Sequence, residues 1–187
     1  MKPFIYTLLL TSIISISSIN SYAGNRVKTD STGSKECLEI VGIAIGENNE
    51  AINGVQVKLY KENDELEWNE ITSVSYHDHN FSFKLNANEY YTIEVSKPGF
   101  VTRLVGVSTV IPAGVSLEQI YTFEFDVTLF KEKKGIDDYY MDFPVALISY
   151  DKKKDVFNND NAYTRHIKTK IKEALDRVLV ENMINGR

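Results

Sequence analysis

The sequence is poor in the residues from which most catalytic and metal sites are built. Its 187 residues include one cysteine, three histidines and one tryptophan. A single cysteine excludes an internal disulfide, so the fold must depend on its apolar core. The motifs G-x-S-x-G and H-E-x-x-H are absent, and three histidines leave little room for metallopeptidase ligands. The sequence therefore predicts no catalytic residue, no cofactor and no enzymatic activity.

Positive charge is also in short supply. The chain has 21 Lys and Arg against 26 Asp and Glu, which gives a formal net charge of −5 at pH 7. A mildly acidic chain has no general attraction for the phosphates of nucleic acids or for anionic lipid surfaces. We therefore expect neither a nucleic-acid partner nor electrostatic attachment to a membrane.

Long apolar runs are confined to the N-terminal region. Lys2 precedes the uncharged run FIYTLLLTSIISISSI at residues 4–19, and SYA at residues 21–23 supplies small residues just before Gly24. This is the layout of a secretory signal peptide, and the run is shorter than the roughly 20 apolar residues of a spanning helix. We expect a signal peptide at 1–23, no membrane span after its cleavage, and a flexible lead-in at 24–37. The processed protein is predicted to be exported to the periplasm or cell surface.

From residue 38 to residue 130, apolar and polar residues alternate wherever a period is clear. Strands with this alternation, separated by turn-forming residues, are typical of a β-sandwich. The sequence KPGF at residues 97–100 has the composition of a type II turn, with proline and glycine at its centre. The side chains predicted to face the core are Val55, Val57, Leu59, Phe81, Phe83, Leu85, Tyr91, Ile93, Val95, Phe123, Phe125, Val127 and Leu129.

Residues 131–187 have a different pattern. A charged linker leads to one extra apolar strand, FPVALISY at 143–150, and from residue 158 the apolar period becomes helical. The helix is expected to be capped by Asn159 or Asp160 and to bury its apolar stripe on the sandwich or on a partner. The predicted fold is therefore mainly β, with seven to eight antiparallel strands in a sandwich and a C-terminal amphipathic helix.

The sandwich segment resembles a known family. YYTIEVSKPGF at residues 90–100 is similar to the Y-x-I-x-V-x-K-x-G-[YF] signature of the carboxypeptidase regulatory-like domain, a transthyretin-like β-sandwich related to Cna protein B-type modules. The resemblance covers residues 38–130 and implies a domain without the peptidase machinery. The tail FPVALISYDKKKDVFNNDNAYTRHI resembles extensions of exported Bacteroidetes proteins. The family's usual glycine before the F-x-F strand is replaced here by HDHNF at residues 77–81.

One cluster has the composition of a metal site. In an extended segment His77 and His79 share a face, and Asp78 lies between them. A closed site needs about four ligands, so the pattern favours a polar hairpin turn with solvated histidines over a metal site. Cys37 has no base beside it in the sequence and is interpreted as a free or buried thiol.

Exposed aromatic and apolar side chains offer an interaction surface. Trp68 lies in the charged segment 61–70 and can stack on a sugar or contact a protein. The other candidates are Tyr139 and Tyr140 in the linker and Tyr163, Ile167 and Ile171 on the helix. The sequence favours an adaptor or interaction module whose partner is another envelope protein. The alternatives are a carbohydrate- or metal-binding envelope protein that uses His77 and His79, an envelope enzyme, and a subunit that docks through its helix into a larger assembly.

Overall fold

The alternating segments form the strands of two sheets. The computed structural model describes residues 35–63, 65–76, 79–115, 119–132 and 143–185. Within these ranges there are nine strands and one helix. They are β1 Glu36–Ile45, β2 Val55–Glu62, β3 Trp68–Tyr76, β4 Asn80–Asn86, β5 Tyr90–Ser96, β6 Arg103–Ser108, β7 Tyr121–Thr128, β8 Ala146–Asp151, β9 Val156–Asn159 and α1 Asn161–Asn185.

The strands pair into a three-stranded and a six-stranded sheet. The three-stranded sheet has the order β4-β1-β7, and the six-stranded sheet has the order β3-β2-β5-β6-β8-β9. The predicted mainly-β sandwich with a C-terminal helix is confirmed. The structure adds a ninth strand, and two of its pairs, β1 with β7 and β6 with β8, are parallel rather than antiparallel. Alternation along a strand reports which face is buried and carries no information about the direction of the neighbouring strand.

The core lies between the two sheets and follows the alternation of their strands. All nine side chains predicted to face inward from β2, β4 and β5 are at most 9% exposed. They are Val55, Val57, Leu59, Phe81, Phe83, Leu85, Tyr91, Ile93 and Val95. Complete burial of one such side chain contributes about 1.5–3 kcal/mol. Because the chain has a single cysteine, this apolar burial is the main source of stability.

The turn after β5 has the predicted geometry. Gly99 has a φ of +79°, a left-handed conformation that glycine adopts without a steric penalty. The N–H of Phe100 donates to the carbonyl oxygen of Lys97 at 3.0 Å, which closes the turn. Proline followed by a left-handed glycine is the combination that a type II turn requires.

Helix α1 begins beside the end of β9 and packs on the sandwich. Asp160 caps it, since its Oδ1 accepts hydrogen bonds from the N–H groups of Ala162 and Tyr163, both at 2.9 Å. The hydroxyl of Tyr163 donates to the carbonyl oxygen of Pro144 at 2.8 Å. Ile167 and Ile171 of the helix form a second, smaller apolar cluster with Phe130 of the sandwich, and each of the three is 5% exposed. In the part of the chain that the structure describes, no helix is apolar enough over sufficient length to cross a membrane.

Candidate functional site

The histidine cluster is only partly within the described residues. His77 and Asp78 lie outside them, as do Tyr139 and Tyr140. His79 is half-buried, and its Nδ1 lies 3.2 Å from Oδ1 of Asn53. Among the described side chains, no group of three or more His, Cys, Asp or Glu is placed to hold a metal ion.

The helix residues of the predicted interaction surface face the sandwich. Ile167 and Ile171 contact the apolar cluster around Phe130, and Tyr163 packs against that cluster while its hydroxyl binds the backbone of Pro144. In this arrangement the three side chains are covered by the chain itself. Of the predicted interaction surface, Trp68 is the described residue that remains open to solvent, at 49% exposure.

Trp68 is the first residue of β3, one of the two edge strands of the six-stranded sheet. Among the described strands, β3 pairs with β2 alone. An edge strand presents unpaired backbone N–H and C=O groups on its free side, which makes it a template for another chain. Its exposed apolar side chains are Trp68, Ile71 at 52% and Val74 at 37%.

The three other sheet edges carry the features that commonly block such pairing. β4 has an exposed lysine, Lys84, β7 has exposed Glu124 and Asp126, and β9 is only four residues long. Charged side chains and short lengths protect edge strands from association. β3 has nine residues, WNEITSVSY, with Glu70 as its one charged side chain and no lysine or proline. It is therefore the least protected edge among the described strands.

A bulge divides β3 into two segments. The register with β2 shifts between Leu59 and Tyr60, so that Thr72 opposes Leu59 and Glu70 opposes Tyr60. Ile71 is left without a partner in that ladder. Bulges increase the local twist and re-aim side chains, which separates residues 68–70 from a regular stretch at residues 72–76.

The outer face of the sheet next to this edge is aromatic and acidic. Trp68 opposes Glu62 on β2, and the β2–β5 register, continued by one residue, places Tyr90 on the other side of Glu62. Tyr90 is 42% exposed. Trp68 and Tyr90 lie on strands about 10 Å apart. They therefore flank the carboxylate of Glu62 on the strand between them. Glu70, Tyr60 and Thr92 form the next row of the same face.

Ion pairs hold the charges of this face in place. Nζ of Lys58 lies 3.6 Å from Glu70 and 4.0 Å from Glu94, and the hydroxyl of Tyr60 donates to Glu94 at 3.3 Å. The pKa of Lys58 is raised by its interactions with Tyr60 and then with Glu94. Burial and the neighbouring Glu94 carboxylate raise the pKa of Tyr60. Lys58 is thus a protonated cation shared between two carboxylates.

The β2–β3 connection adds more carboxylates. Oδ1 of Asn63 accepts hydrogen bonds from the N–H groups of Glu65 and Glu67, at 3.0 and 2.8 Å. The N–H of Asn63 donates to the carbonyl oxygen of Glu67 at 2.8 Å. The connection is therefore a closed turn that presents two exposed glutamates immediately before Trp68.

Two buried groups of potential chemical use are unreactive in their surroundings. Cys37 in β1 is fully buried, and burial raises the pKa of its thiol to about 11. The thiolate is the reactive form of cysteine, so this thiol is a structural one.

Arg103 in β6 is 5% exposed, with its guanidinium carbon 5.0 Å from the centre of the Phe130 ring. Burial lowers the pKa of Arg103 to about 10, so it remains charged at neutral pH beneath the helix.

A second polar cluster, which sequence analysis missed, lies between β7 and the β8–β9 hairpin. The hydroxyls of Tyr121 and Tyr150 both donate to Oδ1 of Asp155, the former at 2.9 Å. These hydrogen bonds raise the pKa of both tyrosines and lower the pKa of Asp155. The two rings pack edge-to-face on Phe157. The cluster ties β7 of the three-stranded sheet to the β8–β9 hairpin, which is a structural role.

Comparison with known proteins gives matches among solved structures only. No protein-family model matches the chain, and no curated protein does. The 3-chlorocatechol 1,2-dioxygenase of Rhodococcus opacus 1CP is 9% identical over 56% of this chain and 63% of the enzyme, with a TM-score of 0.36. Chlorocatechol 1,2-dioxygenase of Pseudomonas putida is 10% identical over 56% and 64%, with a TM-score of 0.40. Sea bream transthyretin is 12% identical over 47% and 85%, with a TM-score of 0.34.

These matches correct one prediction. Sequence analysis predicts that the chain is not an enzyme, whereas most of the matched structures named above are dioxygenases. The matches therefore contradict the prediction that the chain is not an enzyme. The match spans less than two thirds of the length of either dioxygenase. At 9–12% identity the likeness concerns the fold alone.

Proposed function

We propose that the protein is an exported β-sandwich of the carboxypeptidase regulatory-like type that acts as an adaptor in the bacterial cell envelope. The signal-peptide pattern at residues 1–23 and the YYTIEVSKPGF signature support export and family. The interaction role rests on one structural observation, the edge strand β3, whose stretch at residues 72–76 has no charged residue, no proline and no bulge. Its partner is another envelope protein.

Strand addition is the mode of binding that this edge favours. A partner segment in extended conformation hydrogen-bonds to the free side of an edge strand, and its alternate side chains enter flanking pockets. The regular stretch at residues 72–76 offers backbone groups on the side of β3 that no other described strand pairs with. Val74, on the core-facing side opposite Val57, offers apolar surface to such a segment.

The substitution Val74→Lys is expected to abolish partner binding without unfolding the protein. A lysine at an edge position opposes the approach of another strand because its charge would have to be desolvated. Val74 is 37% exposed, so in the free protein the ammonium group reaches water. The measurement is capture of envelope proteins from a detergent extract on the immobilised processed chain, with crosslinking through residue 75 to locate the contact.

The matched control is Val156→Lys. Val156 is 41% exposed and lies on β9, the opposite edge strand of the same sheet. Both variants should keep a thermal midpoint within a few degrees of the parent, as surface substitutions usually do. Equal capture by Val74→Lys and Val156→Lys would show that β3 is not the docking edge.

A carbohydrate-binding role is the second candidate, favoured by Trp68 and Tyr90 on either side of Glu62. Aromatic faces with a carboxylate between them suit stacking and hydrogen bonding to sugar rings. In this case Tyr90→Ala should remove binding to an envelope polysaccharide, while Val74→Lys should leave it unchanged, because a sugar needs no backbone edge. Retention of polysaccharide in affinity electrophoresis distinguishes the two variants. Equal retention by Tyr90→Ala and the parent would exclude this face as the sugar site.

A further inference from the structure

We propose that the occupant of the β3 edge is an extended protein segment that carries lysine or arginine on alternate residues. This inference rests on the proposed docking function and adds the chemical class of the partner. The segment would pair with residues 72–76 and direct its cations to the outer face, towards Glu70 and Trp68. The proposal is supported by the position of the β3 edge, which lies beside the exposed indole of Trp68 and several glutamates.

The two faces of β3 require different side chains from an incoming strand. On the core-facing side, Val74 opposes Val57 and Tyr76 opposes Val55, and Tyr76 packs with its ring 6.2 Å from the ring of Phe81. Cross-strand neighbours share a face of the sheet. The residues of an added strand that lie next to Val74 and Tyr76 should therefore be apolar. On the outer side the free strand presents Glu70 and, beyond the bulge, Ser73. The partner residues there must be polar.

The charge of the outer side selects cations. Exposed carboxylates lie close to Trp68 along the chain, those of Glu65, Glu67 and Glu70. Lys58 is shared between Glu70 and Glu94, so one lysine offsets only part of the charge of these two carboxylates. A cation over the face of an indole is attracted by the ring, most strongly for tryptophan among the aromatic residues. An ammonium or guanidinium group beside Trp68 is therefore attracted both by the indole ring and by the nearby carboxylates.

A second copy of this chain does not meet the requirement. β3 contains no lysine or arginine, so its outer face cannot supply a cation to another β3. The whole chain also has a net charge of −5, and like charges oppose association. The charge complementarity therefore favours a basic partner segment over self-pairing.

The single tryptophan makes the test direct, because Trp68 is the only indole in the chain and lies at the proposed site. The probe is a nine-residue capped peptide that alternates valine with lysine, titrated against the full processed protein while tryptophan emission is recorded. Its counterpart has glutamate for every lysine. We expect the lysine peptide to bind about tenfold or more tightly than the glutamate peptide, with weaker binding as salt rises from about 20 mM to about 300 mM.

Four protein variants and one peptide variant test where and how the lysine peptide binds. Val74→Lys should weaken binding of the lysine peptide about tenfold or more, whereas the matched Val156→Lys should bind like the parent. Glu70→Lys should reduce the preference for lysine over glutamate, and Glu124→Lys, an exposed glutamate on the β7 edge, should not. A lysine peptide with proline in place of its central valine should bind poorly, since proline removes a ladder hydrogen bond.

The outcomes separate this inference from the proposed function. If both peptides bind equally and Val74→Lys weakens both, the preference for cations is overturned and the docking edge stands. If neither peptide changes the emission of Trp68 while Val74→Lys still abolishes capture of an envelope partner, the basic strand is again overturned and the adaptor role stands. If the lysine peptide binds Val74→Lys as well as the parent, β3 is not its site and the inference is overturned, while equal capture of an envelope partner by Val74→Lys and Val156→Lys is the result that overturns the adaptor role. A dimer in sedimentation that Val74→Lys dissociates would assign the edge to a second copy and overturn the inference.

Discussion

Replacing Phe81 with alanine is expected to lower the free energy of unfolding by about 3–5 kcal/mol, the range found for large aromatic side chains in cores. Phe81 is 2% exposed. Its ring centre lies 6.2 Å from those of Tyr76 and Phe83 and 5.9 Å from that of Phe125. It therefore connects β3, β4 and β7 across the core. Urea unfolding followed by circular dichroism measures the loss.

Gly42, which lies against the ring of Phe81, provides a control for this prediction. A Cβ at Gly42 would overlap Cζ of Phe81, so Gly42→Ala alone should cost about 1–3 kcal/mol or more by overpacking. In the Phe81→Ala background that cost should disappear, because the overlapping ring is gone. Gly106→Ala should be milder, since its nearest contact is the end of the flexible Leu147 side chain at 2.8 Å. A Gly42→Ala penalty that persists without the ring would contradict this packing.

Strand positions could be predicted because alternation is a local property. The inward faces of β2, β4 and β5 follow directly from period-2 patterns that tertiary contacts did not alter. β9 was missed because Val156–Asn159 has only four residues, too few to establish a period. The parallel pairing of β1 with β7 joins segments about 80 residues apart, and such long-range pairing leaves no local signal.

The candidate site was only partly accessible to sequence analysis. The sequence predicts Trp68 as an exposed aromatic residue in a charged segment, whereas the structure places it at the start of an edge strand. Whether a strand lies at an edge depends on which strands pair. The partnership of Trp68 with Glu62 and Tyr90 likewise depends on register across three strands. The absence of lysine and proline from WNEITSVSY was a usable sign of an unprotected edge.

The apolar stripe of the helix illustrates a different limit. Periodicity identified Ile167 and Ile171 as one face of α1, but a stripe is equally suited to the chain's own surface and to a partner. The structure places both over Phe130. Phe130 in turn covers the buried Arg103, so the helix shields a charged group as well as apolar surface.

Ile171→Asp is therefore expected to detach the helix while leaving the sandwich folded. Burying an unpaired carboxylate costs about 3 kcal/mol or more, and Ile171 is 5% exposed in the small cluster around Phe130. The larger core of Val57, Ile93 and their neighbours is a separate cluster. Hydrogen exchange should show amides of Asn161–Asn185 losing protection by about 100-fold, while amides of Tyr90–Ser96 keep theirs.

Val180→Asp is the matched control for this experiment. Nine residues at about 100° each place Val180 on the opposite face of the helix from Ile171, and Val180 is 54% exposed. The same substitution there should leave exchange within the helix nearly unchanged. If Ile171→Asp exposed the amides of β5 as well, helix and sandwich would form one cooperative unit. If both variants behaved alike, the buried stripe would not hold the helix in place.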